Sequence, residues 1–288
     1  MIRDKVLIIC GPTATGKTAL ALKLAKKFDG ELISADSRQI YKGGDALTGK
    51  ERAKDIPIWL YDVIDVGKPF SAHDFKKLAT RAIIDITRRG KLPIVVGGTG
   101  FYLKALTEPP ATLSIPPNTT LRQHLVQLSQ AELQARLKHL DSGRWERMNQ
   151  SDRQNPRRLI RAIEVATRGK TARPRASHYD VLWIGLTTAP PVLREYIEIR
   201  VQARFHEAVE EVQDGMEGIL GAPPLLAYTR GEISKEEALA IWTRKEYHYA
   251  KRQLTWFKKE SSIHWFDITR PNYQKEIAIQ VAAWYTKS

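Results

Sequence analysis

Residues 5–28 read KVLIICGPTATGKTALALKLAKKF, an apolar run followed by a turn and then by a segment with helical spacing. Lys5 to Cys10 has the length and apolar content of a buried strand, and Leu20 and Leu24 recur at the period of an α-helix. The turn between them, Gly11 to Thr18, matches the pattern G-x-x-x-x-G-K-[ST] of a phosphate-binding loop. Its place between a strand and a helix suits that role, because backbone N–H groups and the helix N-terminus point together at an anion.

Every residue of this loop is therefore a candidate for binding a diphosphate or triphosphate. The candidate diphosphate-binding residues are Gly11, Pro12, Thr13, Ala14, Thr15, Gly16, Lys17 and Thr18. Lys17 is expected to neutralise phosphate charge, and Thr18 is expected to be a ligand of Mg²⁺. The loop itself does not distinguish a diphosphate from a triphosphate.

Strand and helix signals alternate along the first hundred residues. Short apolar runs predict strands at Glu31 to Ala35, Ile58 to Val66 and Leu92 to Val96. Ser71 to Asp74 has the form of a capping box and predicts a helix that stops at Gly90. This alternation predicts an α/β fold, with a P-loop NTPase-like parallel sheet flanked by helices.

The pattern changes after this region, where Glu108 to Pro117 contains four prolines. Helical patterns follow, including Ser129 to Leu140 and a segment that opens at Asn155-Pro156. Val181 to Leu186 and Ile263 to Ile268 are again strand-like. We therefore expect a small all-helical domain, residues 112–178, inserted into an α/β core made of residues 1–111 and 179–288.

Composition indicates a soluble globular chain of 288 residues, 42% hydrophobic and 27% charged. No apolar run approaches the length of a membrane span, and the charged N-terminus with its short apolar run does not resemble a signal peptide. The single cysteine excludes an internal disulfide and a cysteine-built metal site. We expect a cytoplasmic protein without a membrane partner.

The net charge of +14 and the isoelectric point of about 9.8 favour a polyanionic partner such as nucleic acid. Charge alone does not separate this from a merely basic soluble enzyme. Two basic clusters strengthen the nucleic-acid interpretation. In one, the pairs Arg244-Lys245, Lys251-Arg252 and Lys258-Lys259 recur every seven residues, which places them on one helix face, although a solvated face would have the same pattern. The other lies in the expected helical insertion and consists of Arg157, Arg161 and Arg168 on one helix face, with Arg158 beside them and Arg153, Lys170, Arg173 and Arg175 flanking them.

Asp36 is the candidate catalytic carboxylate, because it follows the second predicted strand and so belongs to the sheet edge that carries the phosphate loop. A turn cap is the alternative role for Asp36, and a helix cap is the alternative for Thr99. The fourth predicted strand ends in Gly97-Gly98 without an acid, which disfavours a kinase or nucleotide hydrolase without excluding it.

Six stretches together resemble the tRNA dimethylallyltransferases, also called tRNA isopentenyltransferases. They are Gly11 to Thr18, Ile33 to Tyr41, Phe70 to Phe75, Val95 to Tyr102, Asn155 to Ala162 and Ala250 to Phe257. The resemblance implies transfer of a dimethylallyl group from its diphosphate, with Mg²⁺, to N6 of the adenosine 3′ of the anticodon in tRNA. A monomer is the default expectation.

The resemblance also implies roles for individual residues. Asp36 matches the general base, Thr99 the threonine beside the reacting adenosine, and Arg204 an arginine that helps to hold the diphosphate. Lys17 and Thr18 complete the candidate catalytic set. The candidate tRNA-binding residues are Asp36, Ser37, Arg38, Gln39, Thr99, Arg122, Arg157, Arg158, Leu159, Ile160, Arg161, Lys251, Arg252 and Gln253.

One segment departs from the family pattern. Gly221 to Leu226 lacks the tyrosine and the charged pair usual there, and its two prolines predict an extended backbone. Three alternatives to tRNA prenylation stay open at this point: a phosphate-loop kinase or hydrolase, a prenyltransferase of free adenine nucleotides, and an inactive RNA-binding relative.

Overall fold

The structure, a computed structural model, describes residues 4–168 and 179–286. The strands are β1 (Asp4–Cys10), β2 (Gly30–Ser34), β3 (Ile58–Trp59), β4 (Leu92–Gly97), β5 (Tyr179–Thr187) and β6 (Ile263–Asp267). The helices up to residue 168 are α1 (Lys17–Phe28), α2 (Asp45–Thr48), α3 (Ala72–Arg88), α4 (Gly100–Thr107), α5 (Thr119–Leu125), α6 (Gln130–Leu140), α7 (Ser142–Arg147), α8 (Gln150–Arg153) and α9 (Pro156–Thr167). The later helices are α10 (Pro190–Glu211), α11 (Ala222–Thr229), α12 (Lys235–Phe257) and α13 (Tyr273–Tyr285).

The strands form one sheet in the order β3-β2-β4-β1-β5-β6, and every pairing between the described strands is parallel. The phosphate-loop strand β1 lies between β4 and β5, so Ile8 pairs with both Val95 and Trp183. Carboxyl ends of parallel strands meet at one edge, where ligands bind in such sheets. This architecture confirms the predicted P-loop-like α/β fold.

Both faces of the sheet are covered, which explains why its strands are apolar at consecutive positions. Val6 and Ile8 point into the core beneath α3 and α4, where they meet Phe75. Leu7 and Ile9, which alternate with them, point to the opposite face, covered by α1 and α13. The alternation of side chains along β1 therefore supplies both layers of the core.

Two expectations about the backbone are wrong. Only Ile58–Trp59 of the predicted strand 58–66 is a strand, because Leu60 and Asp62 have φ of 70° and 57° and break the extension. The segment at Gly221 is helical, not extended: α11 begins at Ala222, with Pro223 and Pro224 in its first turn. N–H groups of a first helical turn have no partner within the helix, so proline costs little there.

The chain divides into two compact units, residues 1–107 with 177–288, and residues 108–176. The second unit has its own core, in which Leu133 and Leu137 of α6 pack with Leu159 and Ile163 of α9. The expected border after residue 111 lies near the first of these divisions, and the border at 178 falls outside the described residues. Among the described helices, none is long and apolar enough to cross a membrane.

A third cluster of buried residues joins α2, α10, α11 and α12 within the first unit. Its largest members are Trp242 of α12 and Phe205 of α10. Gly221 lies directly against the Trp242 ring, where an added Cβ would clash with the indole. This cluster fixes α10 and α12, which both contribute side chains to the cavity described next.

Candidate active site at the phosphate loop

Glycine is required at two positions of the phosphate loop. Gly11 has φ of 136°, and a Cβ there would overlap the carbonyl of Leu186 in β5. Gly16 is the N-cap of α1 in the left-handed region, with φ of 72°. The loop can therefore turn tightly and begin α1 with free N–H groups, which is the arrangement that binds phosphate.

Lys17 folds back over the loop, and its ammonium donates a hydrogen bond to the Pro12 carbonyl at 2.5 Å. Burial, together with the neighbouring Arg200 guanidinium, lowers the pKa of Lys17 to about 8, against the opposing charge of Asp36. A bound diphosphate would favour the charged ammonium, because an adjacent anion stabilises it. Lys17 is thus placed to respond to an anionic ligand.

A cavity of about 460 Å³ opens beside the loop. Its lining includes the predicted residues Thr13, Lys17, Thr18, Asp36, Arg38, Gln39 and Gln253. Phosphate-binding groups and the candidate carboxylate therefore face the same space. The carboxyl ends of β1 and β2 bring them together, as their positions after those strands predicted.

Asp36 caps a turn and also lines this cavity. Its Oδ1 accepts a hydrogen bond from the Arg38 backbone N–H at 3.0 Å, and within the described chain its other oxygen accepts none. Thr99 does not use its hydroxyl to cap α4; it accepts the Ser37 backbone N–H at 3.0 Å. The loops after β2 and β4 are thereby joined next to the carboxylate.

Gln39 and Gln253 are buried and hold the cavity wall from within. Gln253 accepts the Thr13 N–H at 2.9 Å and donates to the Gly98 carbonyl at 3.1 Å, so it braces the phosphate loop against the loop after β4. Gln39 accepts the Ser34 hydroxyl at 2.8 Å and donates to the Gly49 carbonyl at 3.1 Å. Both amides are already engaged inside the protein, although both were predicted to contact tRNA.

The arginine at the phosphate loop is Arg200, whereas the sequence led us to expect Arg204 there. Arg200 donates to the Thr13 hydroxyl at 2.8 Å and lines the cavity. Arg204, one helical turn later, is partly buried and is not among the residues that line the cavity; it donates to the carbonyls of Ala46 and Arg200 and lies over the Trp242 ring. The burial of Arg204, followed by the nearby Arg200 charge, lowers its pKa to about 9.

Sequence reasoning also missed several other residues of the cavity. Tyr196 and Ile199 of α10, both large apolar side chains with exposed surface, line it together with Tyr249 of α12. The apolar spacing of α10 gave no sign of this, because exposed apolar residues are common on helices. Tyr249 had a signal, since it stands among the aromatic residues between the basic pairs of α12.

The basic pairs of α12 are largely exposed, in line with a phosphate-binding face. Lys251 and Arg252 are solvent-exposed, and each lies near an aromatic ring, Tyr247 and Tyr249 respectively. Lys258 is the C-cap, so the third pair begins where the helix ends.

The predicted RNA-contacting residues of the second unit divide into two groups. Arg157 and Arg158 are exposed on α9, and Arg158 is paired with Asp152. Leu159 and Ile160 are buried in the core of that unit, so their side chains are not available to RNA. Lys170, Arg173 and Arg175, which flank this cluster in the sequence, lie outside the described residues.

Arg122 and Arg161 are held by a buried carboxylate. Glu164 is 1% exposed and accepts two hydrogen bonds from Arg122, at 2.8 and 2.9 Å. Arg161 donates to the same carboxylate at 3.3 Å and to the carbonyls of Thr112 and Ile115. These two arginines therefore have a structural part in holding the unit together.

The residues around Thr18 fit a Mg²⁺ ion that is shared with a phosphate ligand. Thr18 lines the cavity with the carboxylates of Asp36 and Glu51, while the described residues contain no cluster of three or more His, Cys, Asp or Glu that could hold a metal alone. Mg²⁺ commonly uses one or two protein ligands and completes its shell with phosphate oxygens and water.

The fold and this site define a phosphate-loop α/β protein whose anion site adjoins a carboxylate in one cavity. Comparison with protein families assigns it further. The family described as IPP transferase matches residues 39–260, and that described as isopentenyl transferase matches residues 4–57. The chain belongs to the IPP transferase family.

Individual relatives agree with this assignment. The chain is 38% identical to a tRNA dimethylallyltransferase of Limosilactobacillus reuteri, over 99% of this chain and 100% of the relative. It is similar to the solved structure of a full-length tRNA isopentenylpyrophosphate transferase from Bacillus halodurans, with a TM-score of 0.71 and 31% identity over 98% of this chain and 97% of that one. A eukaryotic dimethylallyltransferase acting on tRNA shares the fold, with a TM-score of 0.85 and 24% identity over 98% of this chain and 79% of that one.

Proposed function

We propose that the protein transfers a dimethylallyl group from dimethylallyl diphosphate to N6 of the adenosine 3′ of the anticodon in tRNA. The products are N6-isopentenyladenosine and diphosphate, and the protein is a prenyltransferase. One observation carries the proposal: Lys17 of the phosphate loop and the carboxylate of Asp36 line one cavity. The tRNA dimethylallyltransferases to which the chain is similar support it.

Diphosphate is a good leaving group when its charge is taken up. The phosphate-loop N–H groups, the Lys17 ammonium and the Arg200 guanidinium surround the space where the diphosphate binds. Mg²⁺, held by Thr18 and substrate phosphate oxygens, would supply further charge neutralisation there. These groups stabilise the negative charge that develops as the allylic C–O bond breaks.

The acceptor amine needs a base that removes its proton. The N6 lone pair of adenine is delocalised into the ring, so the new C–N bond forms as N6 loses a proton. Asp36 accepts that proton through the oxygen that the Arg38 N–H leaves free. A base inside a stacked anticodon loop must be turned out to reach the cavity, which is the usual solution for chemistry on a base.

Exposed cations account for binding of the anticodon stem-loop. Arg157 and Arg158 of the second unit, and Lys251 and Arg252 of α12, are the residues that we propose contact phosphates. We further propose that the protein acts in the cytoplasm, on the ground of its tRNA substrate, and as a monomer, since one set of basic surfaces suffices for one tRNA.

Label transfer tests the proposal. Radiolabelled dimethylallyl diphosphate and Mg²⁺ are incubated with unmodified tRNA that carries adenosine at the target position. The same tRNA with guanosine there and free AMP are the controls. Label in the adenosine tRNA alone is the expected result; label in AMP would indicate a free-nucleotide prenyltransferase, and no label in any acceptor would refute the proposal.

The Asp36→Asn variant tests the general base. We expect a loss of about 10²- to 10⁴-fold in the transfer rate, the usual contribution of a positioned base, with tRNA affinity nearly unchanged. Asp65→Asn is the matched control, because Asp65 is an exposed acid whose ion pair among the described residues is with the exposed Lys42. Equal loss of transfer and of tRNA binding in Asp36→Asn would make this carboxylate a structural turn cap.

A further inference from the structure

Lys50 is a buried charge that the mechanism above does not use. It lies in a wall segment, residues 47–51, whose other members line the cavity. Lys50 itself is not among the lining residues, and its side chain has no solvent-exposed surface. A buried ammonium has to be paired, so its partners show what it holds in place.

The Lys50 ammonium ties the wall segment to the turn before α2 and to the loop after β3. It donates to the carbonyls of Tyr41 and Gly43 at 2.8 and 2.7 Å, and to Oδ1 of Asp62 at 2.7 Å. An ammonium group has three N–H donors, so these three bonds use all of them. Lys50 therefore fixes three stretches of backbone relative to one another.

Gly49, the residue before Lys50, contacts the arginine of the phosphate loop. Its carbonyl accepts hydrogen bonds from the Gln39 amide at 3.1 Å and from Nη2 of Arg200 at 3.3 Å. Nη1 of the same guanidinium donates to the Thr13 hydroxyl at 2.8 Å. Arg200 thus bridges the wall segment and the phosphate loop, and its place depends on where the Gly49 carbonyl lies.

Glycine is required for this close approach. Gly49 has φ of 68°, and a Cβ there would lie 2.1 Å from Nη2 of Arg200 and 2.6 Å from Nη1 of Arg204. The end of an arginine side chain is flexible, so a larger residue at position 49 would push the guanidinium aside. The fold as a whole does not depend on that contact.

α2 itself is attached to α10 independently of Lys50. Glu211 accepts the backbone N–H groups of Ala46 and Leu47 at 3.0 and 2.9 Å. A change at Lys50 therefore leaves this attachment in place and acts chiefly on the turn that carries Gly49.

We propose that Lys50 and Gly49 are positioning residues for the donor diphosphate. Lys50 fixes the wall segment, and the Gly49 carbonyl sets Arg200 against the Thr13 hydroxyl. The inference rests on the proposed function, in which Arg200 takes up diphosphate charge. It requires that both residues affect the use of the donor and leave the binding of tRNA unchanged.

Lys50→Met tests the first part, because it keeps the length of the side chain and removes the ammonium. We expect kcat/KM for dimethylallyl diphosphate to fall about 10-fold, since a small displacement of a positioned group is costly, with KM for tRNA within twofold of wild type. Arg52→Met is the matched control. Arg52 is exposed, and its hydrogen bonds in the described chain go to Asp45 and Asp62, two acids that Lys50 also contacts, so its loss should change kcat/KM less than twofold.

Gly49→Ala tests the second part and also covers the case in which Lys50→Met does not fold, as judged by thermal melting. Displacing Arg200 should lower kcat/KM for the donor about 10- to 100-fold, which is comparable with losing its charge-assisted hydrogen bond. In an Arg200→Gln background, the added Gly49→Ala or Lys50→Met change should alter kcat/KM less than about threefold, because the group that they position is gone.

Two outcomes overturn the inference: an unchanged kcat/KM in the folded single variants, or losses that multiply with that of Arg200→Gln. Affinity for inorganic diphosphate with Mg²⁺, measured by calorimetry, gives the same comparison without the transfer reaction. An inactive wild type would contradict the proposed function, whereas an active wild type with Lys50→Met and Gly49→Ala unchanged would contradict only the role of these two residues.

Discussion

Arg200 and Arg204 lie one helical turn apart on α10. We expect Arg200→Gln to lower activity and Arg204→Gln to lower stability. Arg200 lines the cavity and donates to the Thr13 hydroxyl of the phosphate loop. Its loss removes a charge-assisted hydrogen bond, worth about 1.5–3 kcal/mol, from the place where the diphosphate charge develops. Since each 1.4 kcal/mol is about tenfold, kcat/KM for dimethylallyl diphosphate should fall about 10- to 150-fold in Arg200→Gln.

Arg204→Gln should chiefly affect folding. Arg204 is partly buried, donates to the carbonyls of Ala46 and Arg200 at 2.9 and 3.1 Å, and lies 5.3 Å from the Trp242 ring centroid. Losing these contacts should cost about 2 kcal/mol of unfolding free energy, or about 4–8 °C in Tm. The residual folded protein should keep kcat/KM for the diphosphate within a few-fold of wild type.

Initial rates at saturating tRNA with varied dimethylallyl diphosphate, together with thermal melts of both variants, decide between the two arginines. The assignment of these roles is wrong if Arg204→Gln melts like wild type and loses diphosphate affinity, and if Arg200→Gln keeps that affinity. That outcome would restore the assignment made from sequence.

Two further predictions concern buried carboxylates outside the cavity. Glu31 is bound by Arg89 and by Trp59, and the Arg89 hydrogen bond in particular lowers its pKa to about 2. Because the pKa of Glu31 is depressed in the folded protein, this stabilisation is present above pH 4.5 and is lost as the pH falls towards 2. In urea unfolding, Glu31→Gln should lower the free energy of unfolding by about 1–3 kcal/mol at pH 7 and by less at pH 3. A difference between variant and wild type that does not depend on pH would contradict this. Glu164→Ala leaves Arg122 without its buried partner, so KM for tRNA should rise at least several-fold while KM for dimethylallyl diphosphate stays unchanged; parallel changes in both constants would speak against a separate RNA-binding role for the second unit.

Much of the fold could be predicted from local sequence signals. The phosphate loop between β1 and α1 was recognised from one pattern, and the helix starts predicted at Ser71 and Ser129 are confirmed, each with a capping box. These features depend on residues within a few positions of one another, so a single sequence contains the whole signal. The backbone at the prolines after Gly221 could not be predicted from local sequence, because these residues are compatible both with an extended chain and with a first helical turn.

The site was predictable only where its chemistry is carried by a motif. Lys17 and Asp36 line one cavity because both follow the carboxyl ends of strands, β1 and β2, of one parallel sheet. Arg200 and Gln253 reach the same loop from positions 187 and 240 residues further along the chain, and no local pattern shows which of two arginines on α10 will do so. That choice depends on how α10 packs against α2 and α12, which is a property of the folded core.

The packing of α11 shows what the altered segment at Gly221 does to the site. α11 remains a helix, and its buried residue Leu225 belongs to the cluster that includes Trp242 of α12. α12 in turn presents Tyr249 and Gln253 to the cavity and Lys251 to solvent. Because the prolines preserve the helix that supports α12, the departure from the family pattern leaves the phosphate loop, its brace and the carboxylate in one cavity. We therefore expect the altered segment to affect tRNA binding by the surrounding surface more than the transfer reaction itself.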